Sequence, residues 1–220
     1  MWSSEVTNMI ITGIWETLYM TLVSTLVGYV IGLPLGVTLA VTGKGGIREN
    51  KVVYRILDVI SNVIRSIPFL ILLILIIPLT RFLVGKSYGS SATIVPLVIA
   101  AAPFIARMVE SSLLEVDHGV IEAAQSMGAN LWTIIWKVML AESRTSLLVN
   151  ATIALGTILG YSAMAGAVGG GGLGDIAIRY GYYRYQTDIM LVTVVLLVLL
   201  VQLLQYIGMT ISKKLDKRTR

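Results

Sequence analysis

Asp117–Ala141 reads DHGVIEAAQSMGANLWTIIWKVMLA, the most mixed-polarity stretch of a very apolar chain. It carries a Glu122-Ala123-Ala124 triplet followed by Gly128, and it lies between two long apolar runs. Polar groups are costly in hydrocarbon, so such an insert must meet water or a partner. Asp117 is placed to cap a short helix over residues 119–127, and Gly128 to end it. Asn130 is placed to cap a second helix over 131–140. On it Leu131, Ile134, Ile135 and Val138 recur at helical spacing and can pack on a bundle. The Ala123-Ala124 pair offers a shallow face for close approach of another protein, and Glu122 adds a charge beside it. A plain amphipathic loop at a membrane surface fits the triplet alone equally well.

The composition explains why the insert stands out. Of 220 residues, 56% are hydrophobic and 13% charged. Soluble domains carry about 25% charged residues, which puts this chain in the membrane class. The length suits one domain, 1–220. There is no cysteine, which excludes disulfides, thiolate metal sites and a cysteine nucleophile. One histidine, His118, argues against a histidine metal cluster or a Ser-His pair. Glu115, Asp117, Glu122 and Glu142 read as solvated or partner-facing charges, and no carboxylate pair suggests an active site. The start, MWSSEVTNMI, lacks a basic n-region, so a cleaved signal peptide is not expected.

A membrane helix needs roughly 20 apolar residues. Five spans are expected, at about 14–41, 57–80, 89–108, 145–168 and 188–212, with the polar insert 117–141 between the third and fourth. The charge-free run Ser66–Thr80 is only about 22 Å long at 1.5 Å per residue, so the second span must begin before Arg65. Of the 17 basic residues, 13 then fall on one side and four (Arg81, Lys86, Arg179, Arg184) on the other. The positive-inside rule puts the N-terminus outside and the C-terminus and the insert in the cytoplasm. The net charge of +5 is thus a topology signal. No basic patch is interleaved with stacking aromatics, so nucleic acid is not a partner. Residues 6–19, with Trp2 and Trp15 nearby, fit either an interfacial segment or the start of one long tilted helix.

The full insert pattern resembles the signature of ABC importer permeases: Glu-Ala-Ala, Gly, an aliphatic and Leu. Here these are Glu122, Ala123, Ala124, Gly128, Val138 and Leu140, with Ala141 where the family usually has proline. Arg65-Ser66-Ile67-Pro68-Phe69 resembles a second-helix motif of the same family. APFIARMVE (102–110) and GYSAMAGAVGGGGLG (160–174) are similar to its methionine-importer branch. The resemblance implies an all-α type I importer permease in a bacterial inner membrane, working as a homodimer. Its partners would be two ATPase subunits, which bind ATP and Mg, and an extracytoplasmic methionine-binding lipoprotein. The chain itself would hold no cofactor and catalyse nothing. Glu122, Ala123, Ala124 and Gly128 would couple it to the ATPase. Another amino acid as cargo, or an ATP-independent channel or scaffold, are the competing readings.

Gly169, Gly171 and Gly174 match G-x-G-x-x-G, but a membrane run precedes them instead of a strand, which discounts a dinucleotide site. No P-loop sequence is present, so ATP must be split elsewhere. Residues 166–174 instead read as a flexible break, with Gly171 and Gly174 in a gate, a docking loop or a tight turn. Gly28, Gly32 and Gly36 at spacing four suit close helix packing within the molecule. For the substrate pathway the candidates are Asn150, Tyr161, Ser162 and Met164 on the fourth span, and Pro103 and Phe104 on the third. A thioether beside a ring would suit a sulfur-containing ligand; ordinary core packing is the alternative for Met164. Arg65 and Pro68 have gating or structural roles, with Arg65 either pairing with Asp58 or reaching the inner surface. Arg107 and Glu110 read as a weak surface pair.

Overall fold

The computed structural model describes residues 4–215. Trp2, Lys217, Arg218 and Arg220 lie outside the described residues. The described residues are mostly helical and contain no strand. The first helix, α1 (Ser4–Thr42), is continuous over 39 residues, about 58 Å at 1.5 Å per residue. Residues 6–19 are therefore part of one long helix and not a separate interfacial segment. Glu5 sits in its first turn, where the helix dipole favours a negative charge.

The tightest seam joins α1 to α5 (Ser90–Leu114). Gly28, Gly32 and Gly36 are buried along it. A Cβ at Gly32 would lie 2.7 Å from the Ala102 carbonyl oxygen and 2.8 Å from Ile105 Cγ2. At Gly36 it would overlap the Ala106 carbonyl and Val109. The glycines thus pack within the molecule, as their spacing suggested. Gly36→Val would force backbone apart and is expected to cost about 3 kcal/mol or more. Gly160→Val is the control, since a Cβ there meets nothing within 4 Å. Size-exclusion recovery of each variant after heating in detergent separates the two; equal recovery would refute the seam.

The expected second span, 57–80, is not one helix. α2 (Lys51–Ser66) and α3 (Phe69–Leu75) meet at a 102° bend, and α4 (Ile77–Val84) follows. The cause is local. Pro68 disfavours helical backbone at the residue before it, and Ile67 is extended at φ −81°, ψ 124°. Asn50 caps the start of α2, its Oδ1 accepting from the backbone N–H groups of Val52 and Val53.

After α5 come α6 (His118–Ser126) and α7, the helical run 131–142. α8 (Arg144–Ala165) leads through a short 3-10 turn to α9, the run 172–182, and then to α10 (Thr187–Leu215). Among the described residues four helices are long and apolar enough to cross a membrane, and the bent α2–α3 pair makes a fifth if counted as one broken span. α10 is the most peripheral. Leu191, Val195, Val198, Leu199 and Leu203 are exposed on it, as befits a lipid-facing helix.

Candidate functional site

The polar insert folds as its caps require. Asp117 Oδ1 accepts from Gly119 N–H at 2.6 Å and opens α6. Gly128 closes it at φ +78°, and Ala129 N–H donates to Ala124 O at 3.0 Å. This is a left-handed helix stop that glycine adopts without Cβ strain. Asn130 Oδ1 accepts from Thr133 N–H at 2.8 Å and starts α7. The middle of α7, Ile134–Met139, is a π-helical turn that the sequence did not disclose.

Ile121 and Ala124 are buried against Ile134, Ile135 and Met139. The expected small-residue face is therefore split: Ala124 packs inward, and only Ala123 faces out. Helical geometry sets this, because Ile121 and Ala124 are three apart and share the inner face. Glu122, Ala123, Gln125, Ser126 and Gly128 stay exposed. Beside them Met127 is 82% exposed, Trp132 69% and Trp136 59%. Aromatic and methionine side chains with one charge make a surface suited to docking.

A cavity lies in the bundle. The 102° bend carries Arg65 and Phe69 onto α5 and α8. There Arg65, Ile67, Phe69, Ala100, Phe104 and Tyr161 line a cavity of about 250 Å³. Phe69 and Tyr161 stack at 4.6 Å with planes 5° apart. Pro68 makes the corner that puts Phe69 there. Tyr161, Phe104 and Arg65 thus come together from three helices. The other pathway candidates do not line this cavity. Pro103 is buried in α5. Ser162 is buried, and its hydroxyl donates to Leu159 O at 2.7 Å. Met164 is 53% exposed away from it. Asn150 Nδ2 donates to Met108 O at 3.1 Å and to Ser112 Oγ at 2.8 Å, a tie between α8 and α5.

Asp58 does not pair with Arg65. It meets Arg107 instead, whose guanidinium also donates to Glu110 Oε2 at 2.6 Å and to Asn62 Oδ1 at 3.2 Å. The Glu110 and Arg107 side chains are only 7% and 18% exposed. The expected surface pair is thus a largely buried cluster locking α2 to α5.

At the opposite end from the insert, the glycine loop is braced, not a flexible break. Gly172 N–H donates to Glu16 Oε2 at 2.7 Å, and Leu173 N–H to Thr17 Oγ1 at 2.9 Å. Gly89 N–H donates to Gly169 O at 2.9 Å, and Thr93 Oγ1 to Gly170 O at 3.3 Å. Gly171 adopts φ +84°, with Glu16 Oε2 2.8 Å from where a Cβ would sit. A Cβ on Gly174 would overlap the Ala163 carbonyl, so its role here is packing. Glu16→Ala would orphan the Gly172 amide, a loss of about 1–3 kcal/mol. In this cysteine-free chain, an added Ala177→Cys reports it: maleimide labelling should speed up by about fivefold or more. An unchanged rate would mean the carboxylate does not hold the loop.

The family of binding-protein-dependent transport system inner membrane components matches residues 32–220. The chain belongs to this family. As a member it is a transport component of the inner membrane. The permease is 50% identical, over 99% of its length and 96% of the relative's, to the probable D-methionine transport system permease protein MetI of Vibrio cholerae serotype O1. It is 48% identical, over 99% of its length and all of the relative's, to the methionine import system permease protein MetP of Bacillus subtilis strain 168. A solved inward-facing MetNI methionine ABC transporter contains a chain that matches at TM-score 0.96 and 50% identity, covering 98% of this permease and all of that chain. An amino acid ABC transporter crystallised with histidines matches at TM-score 0.78 but 19% identity, over 96% of this permease and 95% of that chain, and shares the fold.

Two elements of the permease escaped the sequence reading. The Glu16–Thr17 brace left one trace, a carboxylate close to an apolar run, and its partner lies 156 residues away. Asp58 and Asn62 lie 49 and 45 residues before Arg107, too far apart for helical spacing to pair them.

Proposed function

We propose that this permease is the membrane-spanning subunit of an ATP-driven importer of methionine, accepting both L- and D-forms. One observation carries the reading: half of the residues are shared, nearly end to end, with proteins named as methionine transport permeases. The assembly would contain two copies of this chain, two ATPase subunits that bind ATP and Mg, and an extracytoplasmic methionine-binding lipoprotein. Five crossings per chain are few to enclose a pathway, and two ATPase halves call for two docking helices.

The insert supports the coupling role. α6 is a short rigid helix, its inner face locked to α7 and its outer face free. Displacement of α6 by closing ATPase subunits would be transmitted through Ile134, Ile135 and Met139 to the C-terminal half of α5 and the start of α8. The charge distribution favours the insert end as cytoplasmic. The braced glycine loop would then face outward, towards the binding protein.

The test is reconstitution. Co-expressed with its ATPase, the permease should purify as a complex, and in liposomes with the binding protein it should import labelled methionine in a vanadate-sensitive way. Uptake without ATP would replace the importer by a channel. Uptake of another amino acid that methionine does not inhibit would replace the cargo.

A further inference from the structure

We propose that Arg65 is the carboxylate-holding residue of an amino-acid site inside the membrane, with Phe69, Phe104 and Tyr161 receiving the side chain. The inference rests on the methionine-importer reading above and assigns it a place in the permease.

Three observations carry it. The first is depth. The Arg65 cavity touches Ala100 and Phe104, near the middle of the 25-residue α5. A charge at that level is costly and marks a pathway when it is present. The second is that the Arg65 side chain, exposed in the single chain, makes no ion pair and no hydrogen bond among the described residues. Asp58, the one acid near it in sequence, is taken by Arg107. A guanidinium with five free donors at a cavity wall is a receptor for a carboxylate, which it can hold bidentately. Its place in the last turn of α2 gives it the dipole environment that favours a cation.

The third observation is the remaining wall. Its other side chains are aliphatic and aromatic, with the Tyr161 hydroxyl as the one polar side-chain group and no second charge. The stacked Phe69–Tyr161 pair and the half-buried Phe104 offer ring edges and faces. A thioether is polarizable and packs favourably there. The volume of about 250 Å³ lies just below the usual range of ligand pockets, about 300 Å³ upward, and so leaves room for one small solute only. The cavity is open on one side, which leaves the ammonium group outside the aromatic wall. The two ends of the ligand are thus read by different parts of one site, the carboxylate by α2 and the side chain by α3, α5 and α8.

The experiment uses the purified permease–ATPase complex in detergent, without binding protein, and radiolabelled L-methionine. The wild-type complex should retain label. Unlabelled methionine should compete, and 3-methylthiopropylamine, which lacks the carboxylate, should compete at least about tenfold less well, the scale of one charge-assisted hydrogen bond. Arg65→Gln should weaken retention by about tenfold or more, and Arg65→Lys should recover part of it. No retention by the wild type, equal competition by the amine, or undiminished retention by Arg65→Gln would each overturn the site. The amine comparison needs no variant and stands even if Arg65→Gln fails to fold. The cargo reading fails differently, through absent methionine uptake in the reconstituted system.

Discussion

Replacing Arg107 by methionine should lower the melting temperature of the detergent-solubilised complex by roughly 6–20 °C. The substitution keeps the volume of the aliphatic stem and removes the charge. Glu110, with 7% of its side chain exposed, and Asp58, with 30%, would then sit in the bundle as uncompensated carboxylates. Removing one partner of a buried ion pair costs about 3–5 kcal/mol, and each kcal/mol moves the midpoint of a chain this size by about 2–4 °C. The pair itself need not be net stabilising, because desolvating three charges offsets much of their attraction. Hence the triple variant Asp58→Asn, Arg107→Met, Glu110→Gln should recover most of the loss. Tryptophan fluorescence melts of the two variants decide. A single variant that melts within about 1 °C of wild type would mean the cluster is water-filled and screened, as surface pairs are.

The difference between that cluster and its first reading shows where sequence reasoning stops. Spacing along one helix brought Arg107 and Glu110 together, and they do meet. It could not see Asp58, 49 residues earlier, which turns a weak pair into a link between helices. The same limit hid the Glu16 brace. Properties set by local chemistry were legible. Asp117, Gly128 and Asn130 cap and stop the helices they were expected to. The spaced glycines of α1 pack where they should. The shortness of the run from Ser66 was a real signal, but it reported a corner at Ile67-Pro68, not a longer straight helix. Among the pathway candidates, Tyr161 and Phe104 converge with Arg65, whereas Asn150, Ser162 and Pro103 are used in packing and hydrogen bonding. The sequence placed these polar groups in the spans. Which way each one turns depends on neighbours that only the folded chain supplies.

The orientation of the alanine pair yields the sharpest test of the docking surface. Ala123 and Ala124 are chemically identical neighbours on one helix, one exposed and the other 6% exposed against Ile134 and Ile135. Ala124→Trp has no room. It should destabilise the permease by about 1–3 kcal/mol through overpacking and reduce assembly only as a consequence. Ala123→Trp projects into solvent. It should leave the melting temperature unchanged, yet weaken capture of the ATPase by about thirtyfold or more, the effect of losing one interface hot spot of about 2 kcal/mol. Glu122→Lys, beside it, should act in the same direction by reversing one rim charge, with a strong dependence on salt. Melting curves of the permease alone, read against ATPase binding isotherms, separate packing from docking. If Ala123→Trp binds the ATPase and imports substrate like the wild type, the outer face of α6 is not the contact, and the exposed Trp132 and Trp136 become the surface to alter next.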